Sequence, residues 1–206
     1  EPDPTRDPGP VTRPEHLDAK LIIQGLARVH GRIAACAGIT LFTRRSKKLS
    51  AGLALGAMVL SLGVTVRLFL HLAGHTDVTA MESTVSWIDL PGLSLEFGLL
   101  MDPLAALMSL VVTSVGLMIF IYSVGYMGED ASFTRYFAFL SLFAFSMLGI
   151  VLANNFVTLF IFWELVGASS YLLIGFWYER PKAAEAGKKA FLVNRIADFG
   201  FLIGIL

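Results

Sequence analysis

Phe156-Val157-Thr158-Leu159-Phe160-Ile161-Phe162-Trp163-Glu164-Leu165-Val166-Gly167-Ala168-Ser169-Ser170-Tyr171-Leu172-Leu173-Ile174-Gly175-Phe176-Trp177-Tyr178 is an apolar run whose one charged side chain is Glu164. As a helix at 1.5 Å per residue it is roughly 34 Å long, enough to cross the ~30 Å hydrocarbon core of a bilayer. Backbone polar groups inside lipid must be satisfied within the segment, which selects helix over strand. Glu164 lies about 12 Å from the start of the run, too deep for so short a side chain to reach the interface. An acidic group there costs about 2.5–3.5 kcal/mol on insertion scales, and such residues face a bundle interior, a polar cavity or a partner. Gly167, Ala168, Tyr171 and Gly175 follow Glu164 at i+3, i+4, i+7 and i+11. Small residues in such a stripe let a second helix approach closely. The run therefore reads as a membrane helix with Glu164 turned toward protein.

Working outward, Asn154-Asn155 separates this run from another, Tyr136–Ala153, so the two form an antiparallel pair. Pro103–Met127 and Ser50–Leu72 are further spans, and Ala190–Leu206 begins a fifth. Alternate connections differ sharply in charge. One set carries Arg44, Arg45, Lys47, Lys48, Arg135, Arg180, Lys182, Lys188 and Lys189; the other, residues 71–102 and Asn154-Asn155, carries no Lys or Arg. The positive-inside rule places the first set in the cytoplasm. The outer connection between the first two clear spans holds Val85-Ser86-Trp87-Ile88, then Pro91-Gly92, then Leu93-Ser94-Leu95-Glu96-Phe97-Gly98-Leu99 in period-two alternation. That pattern predicts a small β-hairpin. The fold class is an all-α integral membrane protein of about five transmembrane helices, with this hairpin in the external loop.

Composition agrees. Of 206 residues 55% are hydrophobic and 16% charged, against about 25% charged in soluble domains, and the mean hydropathy is +0.70. Net charge is zero, so there is no electrostatic case for nucleic acid as a partner. The lone Cys36 rules out an intrachain disulfide, a cysteine-ligated zinc site and an iron–sulfur cluster held by this chain alone. His16, His30, His71 and His75 are unevenly spaced and read as surface or interfacial residues rather than a metal site. Residues 1–48 form a divergent, partly disordered region: five prolines fall before Lys20, and such a stretch buries too little apolar surface to offset its ordering entropy. Leu21–Phe42 is interrupted by Arg28, His30 and Arg32, so it is not expected to be a normal membrane span. Residues 49–206 form a partial transmembrane domain, expected to stop within its first repeat.

The chemistry concentrates in the last two spans. A buried carboxyl beside a cation that can approach and withdraw can be switched between charged and neutral, so Glu164 is a candidate proton relay; the plain alternative is that it only fixes helix packing. Lys188, Arg195 and Asp198 share a face at spacings of seven and three, beside Asn194. Arg195 and Asp198 can pair within the helix, a self-neutralising arrangement that competes with a functional role. Lys189 sits at the cytoplasmic end, where lysine is ordinary. Arg67 reads as an interfacial anchor, and Trp87, Trp177, Tyr126 and Tyr178 as an aromatic belt. Phosphate loops, nucleophile elbows and dinucleotide fingerprints are absent from the sequence.

The stretch Phe162 to Tyr178, followed by Lys189-Ala190-Phe191 and Asn194-Arg195-Ile196-Ala197-Asp198, resembles the key glutamate helix and the next helix of the antiporter-like chain L or chain 5 subunit of NADH:quinone oxidoreductase, respiratory complex I. Leu99-Leu100-Met101-Asp102-Pro103-Leu104 and Arg135-Tyr136-Phe137-Ala138 resemble the starts of earlier helices of that family. The resemblance covers about Lys47 to Leu206. It implies inverted repeats of about fourteen or more helices, and a proton pathway in which Glu164 is the glutamate of a glutamate–lysine pair whose lysine lies on a later helix. Lys189, Arg195 and Asp198 would support that pathway. It implies an enzyme subunit, a translocase with no redox chemistry of its own and no cofactor in this chain. NADH, quinone, flavin and iron–sulfur clusters would belong to partner subunits. The expected partners are the other membrane subunits of complex I and the lipid bilayer, in a multi-pass protein of the bacterial inner membrane. Two alternatives stay open: a subunit of a cation/proton antiporter or related inorganic-carbon-uptake or hydrogenase membrane complex, and a structural component with an inert Glu164.

Overall fold

Helix starts coincide with capping residues. Asp102 caps the helix Pro103–Tyr126, its carboxylate accepting the Ala105 N–H at 2.6 Å, with proline in the first turn. Asn155 caps Phe156–Ile174, its side-chain oxygen accepting the Thr158 N–H at 2.7 Å. Pro181 opens Pro181–Ile205. The computed structural model describes residues 47–74, 81–90 and 93–205, together with Gly25, Arg28, Gly31, Ile33 and Ala34. In chain order the elements are α1 (Lys47–Gly74), β1 (Met81–Leu90), β2 (Leu93–Met101), α2 (Pro103–Tyr126), α3 (Phe133–Leu152), α4 (Phe156–Ile174) and α5 (Pro181–Ile205). The expectations for residues 1–48 and Leu21–Phe42 lie outside the described residues, apart from Lys47 and Lys48, which open α1, and the five residues just named, which are helical.

Four of these helices, α1 to α4, are long and apolar enough to cross a membrane. The all-α membrane class and the hairpin are both present. β1 and β2 pair antiparallel from Met81↔Met101 to Leu90↔Leu93, with a register shift between Ser86 and Ile88. Two boundaries differ from the sequence expectation by more than three residues. The Glu164 helix stops at Ile174, and Gly175 caps it, donating its N–H to the Tyr171 and Leu173 carbonyls. The fifth helix begins at Pro181, nine residues before the apolar run, because Lys182, Glu185, Lys188 and Lys189, with the alanines among them, are good helix formers that a search for an apolar run does not count.

Side-chain distribution is that of a lipid-facing bundle. Large apolar residues point outward, with Met118 71% and Ile196 76% exposed, while Ser61, Thr65, Ser109, Thr113, Ser146 and Ser169 are buried. Small residues at the contacts let helices approach. The Thr65, Thr113 and Ser146 hydroxyls donate to the carbonyls of Ser61, Ser109 and Leu142 one turn earlier, at 2.7–2.9 Å, so no polar atom of theirs is left facing lipid. One core cluster joins Ala54, Met58, Phe120, Phe137, Ala144 and Phe176; a second joins Leu68, Leu72, Met101, Ala106 and Leu152. α1 packs on α2, α3 on α4, and α4 on α5.

Contacts at the two ends separate the two charge sets. On the Lys/Arg-rich side, the Lys47 ammonium donates to the Gly128 and Asp130 carbonyls at 3.3 and 2.8 Å. Arg135 donates to the Phe176 carbonyl at 3.2 Å, and Trp177 Nε1–H to Asp130 at 3.0 Å. The Trp177 and Ser132 N–H groups, with Arg135 and Lys47 nearby, hold the Asp130 carboxyl below its ordinary value against a smaller opposing effect of burial. On the other side the hairpin sits over the α3–α4 turn. Asn154 donates to Glu82 at 2.7 Å, Asn155 to the Glu96 carbonyl at 2.8 Å, and the Asn154 N–H to the Gly98 carbonyl at 3.3 Å. Asn155 thus caps α4 and fastens it to the hairpin with the same amide.

Candidate functional site

α4 and α5 run antiparallel with small residues between them. A Cβ on Gly187 would lie 3.3 Å from the Gly175 Cα, and one on Gly167 would lie 3.7 Å from Asn194 Nδ2. The Tyr171 and Phe191 rings meet across the same contact at 5.4 Å. The stripe Gly167, Tyr171, Gly175 therefore does face a helix, and that helix is α5.

This approach brings Glu164 against Arg195, and the two form an ion pair between the helices, with side chains 21% and 38% exposed. Glu164 is the ninth residue of α4, about 12 Å along it. The Arg195 guanidinium also lies over the Phe191 ring, 5.0 Å from its centre. A cation stacked on an aromatic face one turn back has its direction restricted. The intrahelical pair Arg195–Asp198 does not form. Arg195 turns across to Glu164, while Asp198, only 5% exposed, accepts a hydrogen bond from Trp163 Nε1–H at 2.9 Å. Spacing along α5 permitted the local pair; the α4 side chains opposite it decided otherwise.

Sequence-predicted residues thus divide. Glu164, Arg195 and Asp198 are gathered at one level of the α4–α5 contact. Lys189 is exposed near the start of α5 and joins no ion pair among the described residues. Lys188 lines an open groove with Tyr171, Phe191 and Leu192. A separate cavity of about 230 Å³ between α3, α4 and α5 is lined by Met147, Ile150, Trp163, Gly167, Ser170, Asn194 and Asp198. It exceeds the ~30 Å³ that one water occupies in the liquid, and polar groups of Ser170, Asn194 and Asp198 offer hydrogen bonds to water there. Two participants were missed in the sequence. Trp163 adjoins Glu164, but nothing in its spacing reveals a partner on another helix. Asp130, in a short polar connection, gives no sign of the Trp177 and Lys47 contacts that gather around it. No group of three or more His, Cys, Asp or Glu side chains suited to a metal ion occurs among the described residues.

Chemically, the site holds two carboxylates that can carry a proton and one guanidinium that cannot give its own up. Arg195 therefore acts on the carboxylates around it through its fixed positive charge.

Comparison with known proteins places these helices. Residues 87–137 match the family model for the N-terminus of NADH-ubiquinone oxidoreductase (complex I) chain 5. Residues 153–206 match the transmembrane model shared by NADH:quinone oxidoreductase and the Mrp antiporter. The chloroplastic NAD(P)H-quinone oxidoreductase subunit 5 of Zygnema circumcarinatum is 50% identical over 157 residues, covering 74% of this chain and 22% of the relative. That of Helianthus annuus is 45% identical over 170 residues, covering 82% and 23%. The chain thus spans less than a quarter of the length of these relatives. Among solved structures, the Mrp complex from Dietzia sp. DQ12-45-1b aligns at TM-score 0.68 and 25% identity, over 86% of this chain and 18% of that one. The membrane-bound sulfane sulfur reductase, an archaeal respiratory complex, aligns at TM-score 0.70 and 19% identity over 91% and 36%, a likeness of fold. With both family models falling on the hairpin and helices described above, the chain belongs to the family of complex I chain 5 and Mrp-antiporter membrane subunits.

Proposed function

We propose that this chain is part of a proton-translocating membrane subunit of an NAD(P)H:quinone oxidoreductase, with Glu164 as the proton relay. The single observation carrying the relay is the Glu164–Arg195 ion pair deep in the α4–α5 contact. A carboxylate held by a cation takes up a proton as that cation is drawn away and releases it as the cation returns. Asp198 and the cavity beside it offer a second carboxylate with room for water, and Lys189 stands at the charged end of α5 as a proton-path residue. The cofactors of the reaction, and the redox step, belong in this reading to partner subunits. The relatives quoted are chloroplast proteins, so the sequence-based expectation of a bacterial cell membrane is not carried further.

The test is Glu164→Gln in the full-length subunit within its complex. Glutamine keeps size and hydrogen bonding and loses the titratable proton. The expected result is an assembled complex that forms a strongly reduced proton gradient per quinone reduced in vesicles. Normal pumping by the Gln variant overturns the relay, and failed assembly favours a packing role. A second reading, a subunit of a cation/proton antiporter, is favoured by the 25% identical Mrp structure and the shared family model. Neighbouring genes for NADH- and quinone-binding subunits, or for further antiporter subunits, separate the two.

A further inference from the structure

Arg195 has a carboxylate three residues away on its own helix, yet it pairs with one on another. Residues at i and i+3 are neighbours on a helix surface, and opposite charges there attract. Something must therefore occupy Asp198. Its Oδ1 accepts from Trp163 Nε1–H at 2.9 Å, and the Trp163 ring is set edge-to-face on Phe201 at 6.0 Å, which is itself edge-to-face with Phe160 at 5.6 Å. An indole N–H only donates, so it satisfies a carboxylate without competing for a cation. Arg195 meanwhile retains a buried Nε–H with no hydrogen-bond partner, a spare donor with which to engage a second acceptor. Two consecutive residues of α4, Trp163 and Glu164, thus hold two residues of α5 one turn apart.

We infer that Trp163 is a positioning residue: its indole N–H occupies Asp198 and so reserves Arg195 for Glu164. The link from this arrangement to pumping rests on the relay reading above; the pairing itself does not. Without the N–H, a carboxylate as buried as Asp198 is left short of a donor, which is costly. The cation placed to answer it is Arg195, whose departure strips Glu164 of its counter-charge and leaves Glu164 to take a proton from solvent.

Infrared difference spectra of the full-length subunit in its complex read this directly. In Trp163→Phe, the carbonyl band of a protonated carboxyl should appear. It should be missing from Trp163→Phe/Glu164→Gln, which assigns it to Glu164. It should also be missing from Trp163→Phe/Asp198→Asn, where no rival carboxylate draws Arg195 away. Replacing Trp163 by benzothienylalanine, which keeps the ring shape and exchanges N–H for sulfur, should reproduce the band if the Phe variant fails to assemble. A band that disappears with Asp198 but not with Glu164, or no new band, overturns the inference. The Glu164 band together with undiminished pumping keeps Trp163 in its positioning role and sinks the relay reading instead.

Discussion

The Glu164–Arg195 pair makes a quantitative prediction about single and double substitutions. Removing one partner of a fully buried ion pair costs about 3–5 kcal/mol, mostly because the survivor is an uncompensated charge. Here the side chains are 21% and 38% exposed, so the surroundings relieve part of that cost, and about 1–3 kcal/mol is the fitting range. Arg195→Met strips Glu164 of its counter-charge, so that its carboxyl is stranded or neutralised at a cost, and Glu164→Gln leaves Arg195 with only an amide oxygen to face. The double variant leaves neither charge stranded. It should recover most of what the single changes lose, giving a coupling of about 1–3 kcal/mol, or roughly 5- to 150-fold in an equilibrium. Reversible unfolding of the full-length subunit by SDS titration in mixed micelles, measured for the parent, both single variants and the double, yields that coupling. Strictly additive costs would refute the reasoning, because they would mean the two groups do not sense each other across the α4–α5 contact.

Other perturbations test the frame that holds this pair. A Cβ at Gly98 would collide with the Asn154 amide, so Gly98→Val should displace the hairpin from the α3–α4 turn, cost about 1–3 kcal/mol as overpacking does, and speed proteolysis within β1 and β2. Asp130 has a folded pKa held below its ordinary 3.8; its stabilising effect is therefore complete above the unfolded value and lost as pH falls through the folded one. Asp130→Asn should accordingly lower the melting temperature above pH 3.8, with the gap from the parent closing as the pH drops below it. For topology, a cysteine at exposed Ser83 and one at exposed Glu185 should be labelled from opposite sides of the membrane; labelling of both from one side would defeat the alternation of charge read from the connections.

Much of the architecture was already legible along the chain. Apolar runs near the length of a bilayer crossing have one solution in lipid, the helix, because no solvent is there to satisfy the backbone. Ser50–Leu72, Pro103–Met127, Tyr136–Ala153 and Phe156–Tyr178 therefore became α1 to α4 within a few residues. The hairpin followed from alternation around Pro91-Gly92. The errors fell where the determining force is not hydropathy: at Gly175, a C-cap, and at Pro181–Lys189, a charged helical start.

Glu164 was also recognisable by itself, since a lone carboxyl at that depth is costly wherever it points. Its partner was not. The periodicity of α5 put Arg195 beside Asp198, and only the approach of α4 revealed that Trp163 takes Asp198 and Glu164 takes Arg195. A helix sequence specifies which residues share a face, because 3.6 residues per turn fixes that locally. Which of two acceptors a flexible, multidentate guanidinium engages depends on donors and charges supplied by another helix, and those meet it only in the tertiary structure.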